Sequence, residues 1–360
     1  MASPVISYPG AKWKFYNDMR DYFPEDMKVF IEPFFGGGSV SLSVADDNKF
    51  SKLERMVGGD LYTEMWCFWQ GIKSNPDAVV EIATQWFKQS CPHQEEIHKL
   101  GFTGNEARKW LEGGENENFE KSNTIFGVTE QVESAETTKY LEEQRRRIRD
   151  NISLYKVACE EGQNFWNWSQ SVDTSQMTLE QRAARMLLVN KISFSGMGDA
   201  GSLSKDQFCD FTLDKLQLVY PAHKLLQRVE LYNVSFEDTM KISNERPDDT
   251  FIFLDPPYLA QEGSGLYGKG GSTHKGFPHQ HFAKYTKTMK CKWFVTYDDS
   301  VAVRKLFSGT TADGNPIYMK PYKTVYTMAG KTAEDALKGE ELFISNYDLD
   351  AEDDFDMDNF

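Results

Sequence analysis

Asp255-Pro256-Pro257-Tyr258 sets a carboxylate, a stiffened backbone and an aromatic ring within four residues, directly after the apolar run Phe251-Ile252-Phe253-Leu254. A run of that length, bounded by Thr250 and by two prolines that cannot continue a helix, predicts a short buried strand ending at Asp255. In an open parallel sheet the carboxyl ends of the strands line the ligand crevice, so Asp255 and Tyr258 would face it. These residue types suit a planar amine. The nitrogen of a nucleobase amine is a poor nucleophile because its lone pair is delocalised into the ring. Acceptors that grip the amine hydrogens, the Asp255 carboxylate and the Asp255 and Pro256 carbonyls, would localise that pair while Tyr258 stacks on the flat ligand. An ordinary proline turn closing a buried strand fits the same four residues.

A second ligand-holding stretch is Phe34-Phe35-Gly36-Gly37-Gly38-Ser39, set between the apolar Lys28-Val29-Phe30-Ile31-Glu32 and a run from Ser39 to Ala45 that suits a packed helix start. Glycines in that place imply a backbone that comes close to something and adopts dihedrals other residues resist. The lysine of a phosphate-binding loop is missing and Gly-x-Gly-x-x-Gly is not satisfied, so the expected ligand is a nucleoside without a pyrophosphate. Arg55-Met56-Val57-Gly58-Gly59-Asp60 then predicts a second strand ending in a carboxylate. An acid about 20 residues beyond such glycines holds ribose hydroxyls in doubly wound nucleotide folds. A cap for a helix from Tyr62 to Trp69 explains Asp60 equally well.

Together, Phe-Ile-Glu-Pro-Phe-Phe-Gly-Gly-Gly-Ser-Val and the later Asp-Pro-Pro-Tyr resemble the Dam-like class of DNA adenine methyltransferases. Tyr8-Pro9-Gly10-Ala11-Lys12 is similar to the leading element of that class, where a second glycine is commoner than Ala11. The resemblance implies S-adenosylmethionine as cofactor, with Glu32, Phe34, Gly36, Gly37 and Gly38 around its amino-acid part, Asp60 on its ribose and Phe236 near its adenine. It implies that Tyr8 and Lys12 face the cofactor or the active site, and that Asp255, Pro256, Pro257 and Tyr258 are catalytic. Many relatives carry an acid where this chain has Ser235. Asn190-Lys191-Ile192-Ser193-Phe194-Ser195-Gly196 resembles the target-recognition segment of the class, with Ser195 standing where many members have Asn.

Val229 to Val234, Lys292 to Tyr297 and Glu341 to Tyr347 predict further strands. Strands and glycine loop argue a nucleotide-type α/β fold. With the resemblance, the expectation is a Rossmann-like mixed seven-stranded sheet, mostly parallel, its last strand antiparallel, with helices on both faces. The expected organisation is a catalytic domain in two parts, 1–70 and 226–347, an inserted helical target-recognition region at 71–225, and an acidic disordered tail at 348–360. Within the insertion, apolar positions Leu141, Ile148, Ile152 and Tyr155 predict a helix from Thr137 to Glu161. It carries Arg145, Arg146, Arg147 and Arg149, which read either as a DNA-phosphate patch or as partners of Glu142 and Glu143. Asn164 to Trp168 suits a small core better than a base-stacking platform. Thr178-Leu179-Glu180-Gln181 has the form of a capping box. The glycine-rich stretch from Gly263 to Gly276, with Lys269 and Lys275, is expected as a lid over DNA.

The net charge of −15 argues against nucleic-acid binding through the average field, although seven of the acids lie in the last 13 residues, 348–360, which hold no base. DNA contact must then come from local basic patches and weaken steeply with salt. No window is long and apolar enough to span a bilayer, and the first residues form no signal peptide. The expected location is the cytoplasm of a prokaryotic or phage-infected cell. Cys67, Cys91, Cys159, Cys209 and Cys291 are scattered singly, so neither a disulfide framework nor a zinc site is indicated, and His274, His279 and His281 lack companions at ligand spacing. The expected partner is double-stranded DNA, with a restriction endonuclease partner and a monomeric or dimeric state left open. The expected reaction is methyl transfer to the exocyclic amine of an extruded adenine. The alternatives are the exocyclic amine of cytosine, whose enzymes more often have Ser at the position of Asp255, or a non-catalytic DNA mimic.

Overall fold

The computed structural model describes residues 4–100, 135–259, 276–326 and 337–350. Seven strands form one sheet in the order β3-β2-β1-β4-β5-β7-β6. They are β1 (Val29–Glu32), β2 (Arg55–Gly59), β3 (Val229–Tyr232), β4 (Thr250–Leu254), β5 (Lys292–Asp298), β6 (Tyr318–Tyr326) and β7 (Leu337–Ser345). The pairs among β1 to β5 are parallel, and β7 runs antiparallel to both of its neighbours. This is the expected mixed sheet. Sequence reasoning located six of the strands and missed β6, whose Pro321 argues against a central strand. As the sheet's outermost strand, β6 tolerates a residue that cannot donate to a ladder on both sides.

β1 and β4 are buried at every residue, as strands covered on both faces must be. One face packs Phe30, Phe251, Phe253 and Phe294; the other packs Ile31, Ile252, Leu254 and Val295. Val29 pairs with both Arg55 and Thr250, so Glu32, Asp60 and Asp255 all emerge at the same carboxyl edge of the sheet. The chain order reverses between β1 and β4, which opens a crevice there.

Between β2 and β3 the described chain is helical. Here lie α2 (Thr63–Ser74), α3 (Pro76–Ser90), α4 (Gln94–Leu100), α5 (Ala135–Ser171), α6 (Leu179–Ile192), α7 (Lys205–Asp210) and α8 (Val219–Leu226), after the earlier α1 (Ser39–Asp46) that follows β1. α6 starts on the expected capping box, Thr178 and Gln181 each bonding the other's backbone. α5 extends ten residues past the expected end and absorbs Phe165, Trp166 and Trp168; Phe165 and Trp166 are buried, which favours the core reading of that stretch. The core of this insertion, including Phe68, Phe87, Phe165 and Leu187, is continuous with one face of the sheet. Beyond β3 come α9 (Phe236–Lys241), α10 (His279–Thr286) and α11 (Val301–Phe307).

The expected acidic tail does not begin at 348, because Leu349 is buried in the core and Asp350 pairs with Lys320. Residues 351–360 lie outside the described residues, as do Lys269, Lys275 and the rest of the glycine-rich stretch up to 275. All five cysteines are buried free thiols. Among the described residues no helix is long and apolar enough to cross a membrane.

Candidate active site

Asp255 follows β4 at the open crevice. Its carboxylate is held from two sides: Lys12 Nζ lies 3.0 Å from Oδ2 and 2.9 Å from Oδ1, and the Thr296 hydroxyl donates to Oδ1 at 2.8 Å. Thr296 reaches it because Leu254 pairs with Val295, which brings the next residues of β4 and β5 side by side. An ionised carboxylate has roughly four acceptor sites, so these contacts leave capacity for another donor. Lys12 is 2% exposed and also donates to the Gly10 carbonyl at 2.9 Å. Burial alone would lower its pKa, but Asp255, with Glu341 and Glu32 nearby, offsets this and holds the ammonium above its ordinary value.

The glycine loop joins β1 to α1. Gly36 and Gly38 adopt positive φ of 46° and 66°, a region that favours glycine. Added side chains would collide: a Cβ on Gly36 would stand 2.9 Å from the Tyr8 ring, and one on Gly37 2.7 Å from the Tyr8 Cβ. Tyr8 therefore lies on the loop itself. Glu32, ending β1 and 3% exposed, accepts from the Ser41 amide at 2.9 Å and from the Ser41 hydroxyl. Burial pushes its pKa up to about 8 against the Ser41 bonds, with Asp255 and Asp60 adding to the rise. Asp60, just past β2, accepts from the Gly36 amide and the Tyr62 amide, each at 2.8 Å, and burial raises it to about 6. It is not the N-cap of α2, a position taken by Tyr62.

The crevice has two groups of rings. Phe34 stacks on Phe236 with centroids 5.6 Å apart and planes at 23°, and Phe277 and Phe282 pack edge-on against Phe34. Ser235 caps α9 by accepting from the Asp238 amide at 3.2 Å. The other group is Tyr258, half-buried, stacked on Tyr297 at 5.7 Å and 26°, with Lys12 Nζ 5.0 Å from its ring centre. Pro256 is buried and Pro257 partly so.

At the end of α6, the Asn190 amide clamps the N-terminal segment, accepting from the Ser7 amide at 3.1 Å and donating to the carbonyls of Ser7 and Gly196 at 2.6 and 2.7 Å. Lys191, expected within the target-recognition segment and as a DNA contact, donates its ammonium to the Val5 carbonyl, and burial lowers its pKa to about 8. Ser195 is exposed at φ 51°, the one non-glycine with positive φ among the described residues, and the adjoining Phe194 ring is 56% exposed. Behind this loop Arg185 and Asp199 form a buried ion pair, with Tyr62 donating to Asp199 at 2.8 Å and Arg185 donating to the Ser169 carbonyl. Arg145, Arg146, Arg147 and Arg149 lie together on α5, away from the segments just described in sequence; Arg146 is exposed, and the pairing expected for Glu142 lies outside the described side chains.

Sequence reasoning missed Thr296, Tyr297, Ser41 and Asp199. The parallel register of β4 with β5 was the available signal for the first two, since strands that end together present their next residues to one another. No curated protein matches the chain significantly. Residues 8–322 match the family described as D12 class N6 adenine-specific DNA methyltransferase, a span that includes the glycine loop, the whole helical insertion and Asp255 to Tyr258. The chain belongs to that family, and its activity is methylation of adenine in DNA.

Proposed function

We propose that the crevice holds S-adenosylmethionine beside Asp255 and that the target adenine enters it extruded from duplex DNA. The observation carrying this reading is the Asp255 carboxylate, fixed by Lys12 and Thr296 yet retaining acceptor capacity, next to a glycine loop flanked by Glu32 and Asp60. Asp60 and Asp255 against the single Lys12 ammonium leave the crevice short of positive charge, and Glu32, raised to about 8, can release its proton when a cation binds beside it. Such a site suits a cationic cofactor, and S-adenosylmethionine supplies an activated methyl group. Glu32 and the backbone of Gly36 to Gly38 would take its amino-acid part, Asp60 its ribose, and Phe34 and Phe236 the apolar face of its adenine.

The amine of adenine is paired inside a duplex, so the base must leave the stack to be reached. Asp255 and the Pro256 carbonyl accept its hydrogens and Tyr258 stacks on it. A nitrogen that gains a carbon must lose a proton; the Asp255 carboxylate, 21% exposed, accepts it and passes it to solvent. Exposed apolar wedges commonly fill a gap opened between bases, and Phe194 on the left-handed turn at Ser195 has that form. The arginines of α5, with Lys269 and Lys275, would carry phosphate contacts. The test is methylation of a duplex oligonucleotide library with labelled S-adenosylmethionine, followed by nucleoside analysis. Labelled N6-methyladenine that disappears with Asp255→Ala supports the reading; undiminished product in that variant overturns it.

A further inference from the structure

The ring that the tetrapeptide offers to a base rests on a second ring, and that ring is anchored by a histidine. Tyr297 is fully buried and lies under Tyr258, nearly parallel to it. Its hydroxyl shares a hydrogen bond with His279 Nδ1, and His279 is 7% exposed at the first residue of α10. The histidine ring is in turn held edge-on by Phe277 at 5.0 Å and 73°. A stacked pair alone fixes separation better than rotation, because ring faces slide over one another at small cost. A buried hydrogen bond at the far end of one ring removes that freedom.

We propose that His279 and Tyr297 are positioning residues for methyl transfer: their hydrogen bond fixes the Tyr297 ring, and that ring sets the plane on which Tyr258 receives the extruded base. Thr296, the preceding residue on β5, meanwhile holds the Asp255 carboxylate, so two consecutive residues of one strand orient both the acceptor and the stacking surface. The inference rests on the reading of Asp255 and Tyr258 as the site of chemistry.

The experiment compares Tyr297→Phe, His279→Ala and His279→Gln with the parent and with Asp255→Ala, measuring methylation on duplex DNA with adenine at the target and base extrusion on a matching duplex that carries 2-aminopurine there. Tyr297→Phe keeps the stacked ring and removes one oxygen. Misplacement of a substrate by an ångström can cost about a hundredfold in rate, so single-turnover methylation should fall roughly ten- to a hundredfold in Tyr297→Phe and His279→Ala. Cofactor and DNA dissociation constants should stay at parent values, the 2-aminopurine signal of the bound complex should change, and His279→Gln, which can still bond the hydroxyl, should recover part of the rate. Parent-like rates in Tyr297→Phe while Asp255→Ala is inactive would overturn this inference alone. Parent-like rates in Asp255→Ala would overturn the underlying reading. A rate loss in Tyr297→Phe matched by equal losses in cofactor affinity and melting temperature would make the pair a core contact and would overturn the proposal too.

Discussion

Lys12 and Asp255 stand 243 residues apart in the chain, and the fold brings the lysine ammonium to 2.9 Å from the aspartate carboxylate. The lysine side chain is 3% exposed, so its charge is withdrawn from water and has to be matched nearby. That requirement ties the N-terminal turn to the end of β4. It also fixes the direction in which Asp255 presents its remaining acceptor sites.

Replacing Asp255 tests the chemistry directly. Asp255→Ala should lower single-turnover methylation at least a hundredfold, and Asp255→Asn by less, since Asn keeps one acceptor of similar reach. Loss of a charge-assisted hydrogen bond made mainly in the transition state costs about 1.5–3 kcal/mol before any loss of base positioning. Rapid-quench assays check this, and near-parent rates for Ala would reduce Asp255 to the end of a strand.

Glu32 should give the apo protein a characteristic pH dependence. Its folded pKa of about 8 exceeds the ordinary 4.5, so the folded state holds the proton more tightly than the unfolded chain. Stability from this group is therefore full below pH 4.5, declines as pH rises to about 8, and is flat beyond. The slope is at most about 1.4 kcal/mol per pH unit. Glu32→Gln, which cannot ionise, should flatten that decline in urea titrations from pH 5 to 8, at about the pH values where the effect is steepest. Asp60, raised to about 6, adds to the same decline only at its acidic end. An unchanged pH profile in Glu32→Gln would show that the carboxyl is not the source.

Asp60→Ala should weaken S-adenosylmethionine binding by about 1.5–3 kcal/mol if a charge-assisted pair to the ribose is lost. The mutation also frees the Gly36 amide that Asp60 holds at 2.8 Å, so loop order has to be checked alongside affinity. Calorimetry that returns the parent dissociation constant for a folded variant would remove Asp60 from the cofactor site.

Asp199→Ala should be among the more damaging changes to stability. It leaves Arg185, with a side chain 5% exposed, as a charge without its carboxylate partner. Breaking a buried pair on one side costs about 3–5 kcal/mol. Denaturant melts measure this, and a loss below about 1 kcal/mol would mean that water replaces the carboxylate.

Changing Arg145, Arg146, Arg147 and Arg149 together to Gln should lower DNA affinity and flatten its salt dependence, with cofactor binding retained. Binding isotherms at several salt concentrations decide between a phosphate patch and a solvated helix face, because a face with no DNA contact would leave both affinity and slope unchanged.

Composition and spacing by themselves determined the chemistry-bearing ends of three strands. Val29 to Glu32, Arg55 to Gly59 and Thr250 to Leu254 are apolar runs too short and too bounded to be helices, and each leads into a polar or glycine element. The capping box at Thr178 was legible for the same reason, since both halves of its bonding lie within four residues. Local rules of this kind read local partners. β6 was not legible, because an edge strand needs only one hydrogen-bonded side and its sequence can look like a loop. The partner of Lys191 was not legible either, because the fold sets the buried Val5 carbonyl, 186 residues away in the chain, against its ammonium. The support of the site, Lys12 and Thr296 on Asp255 and His279 behind Tyr297 and Tyr258, was decided only by tertiary structure. Thr296 meets Asp255 through the parallel pairing of β4 with β5, whereas Lys12 and His279 arrive from a turn and a helix outside the sheet, and no periodicity within any single segment records which of them will meet.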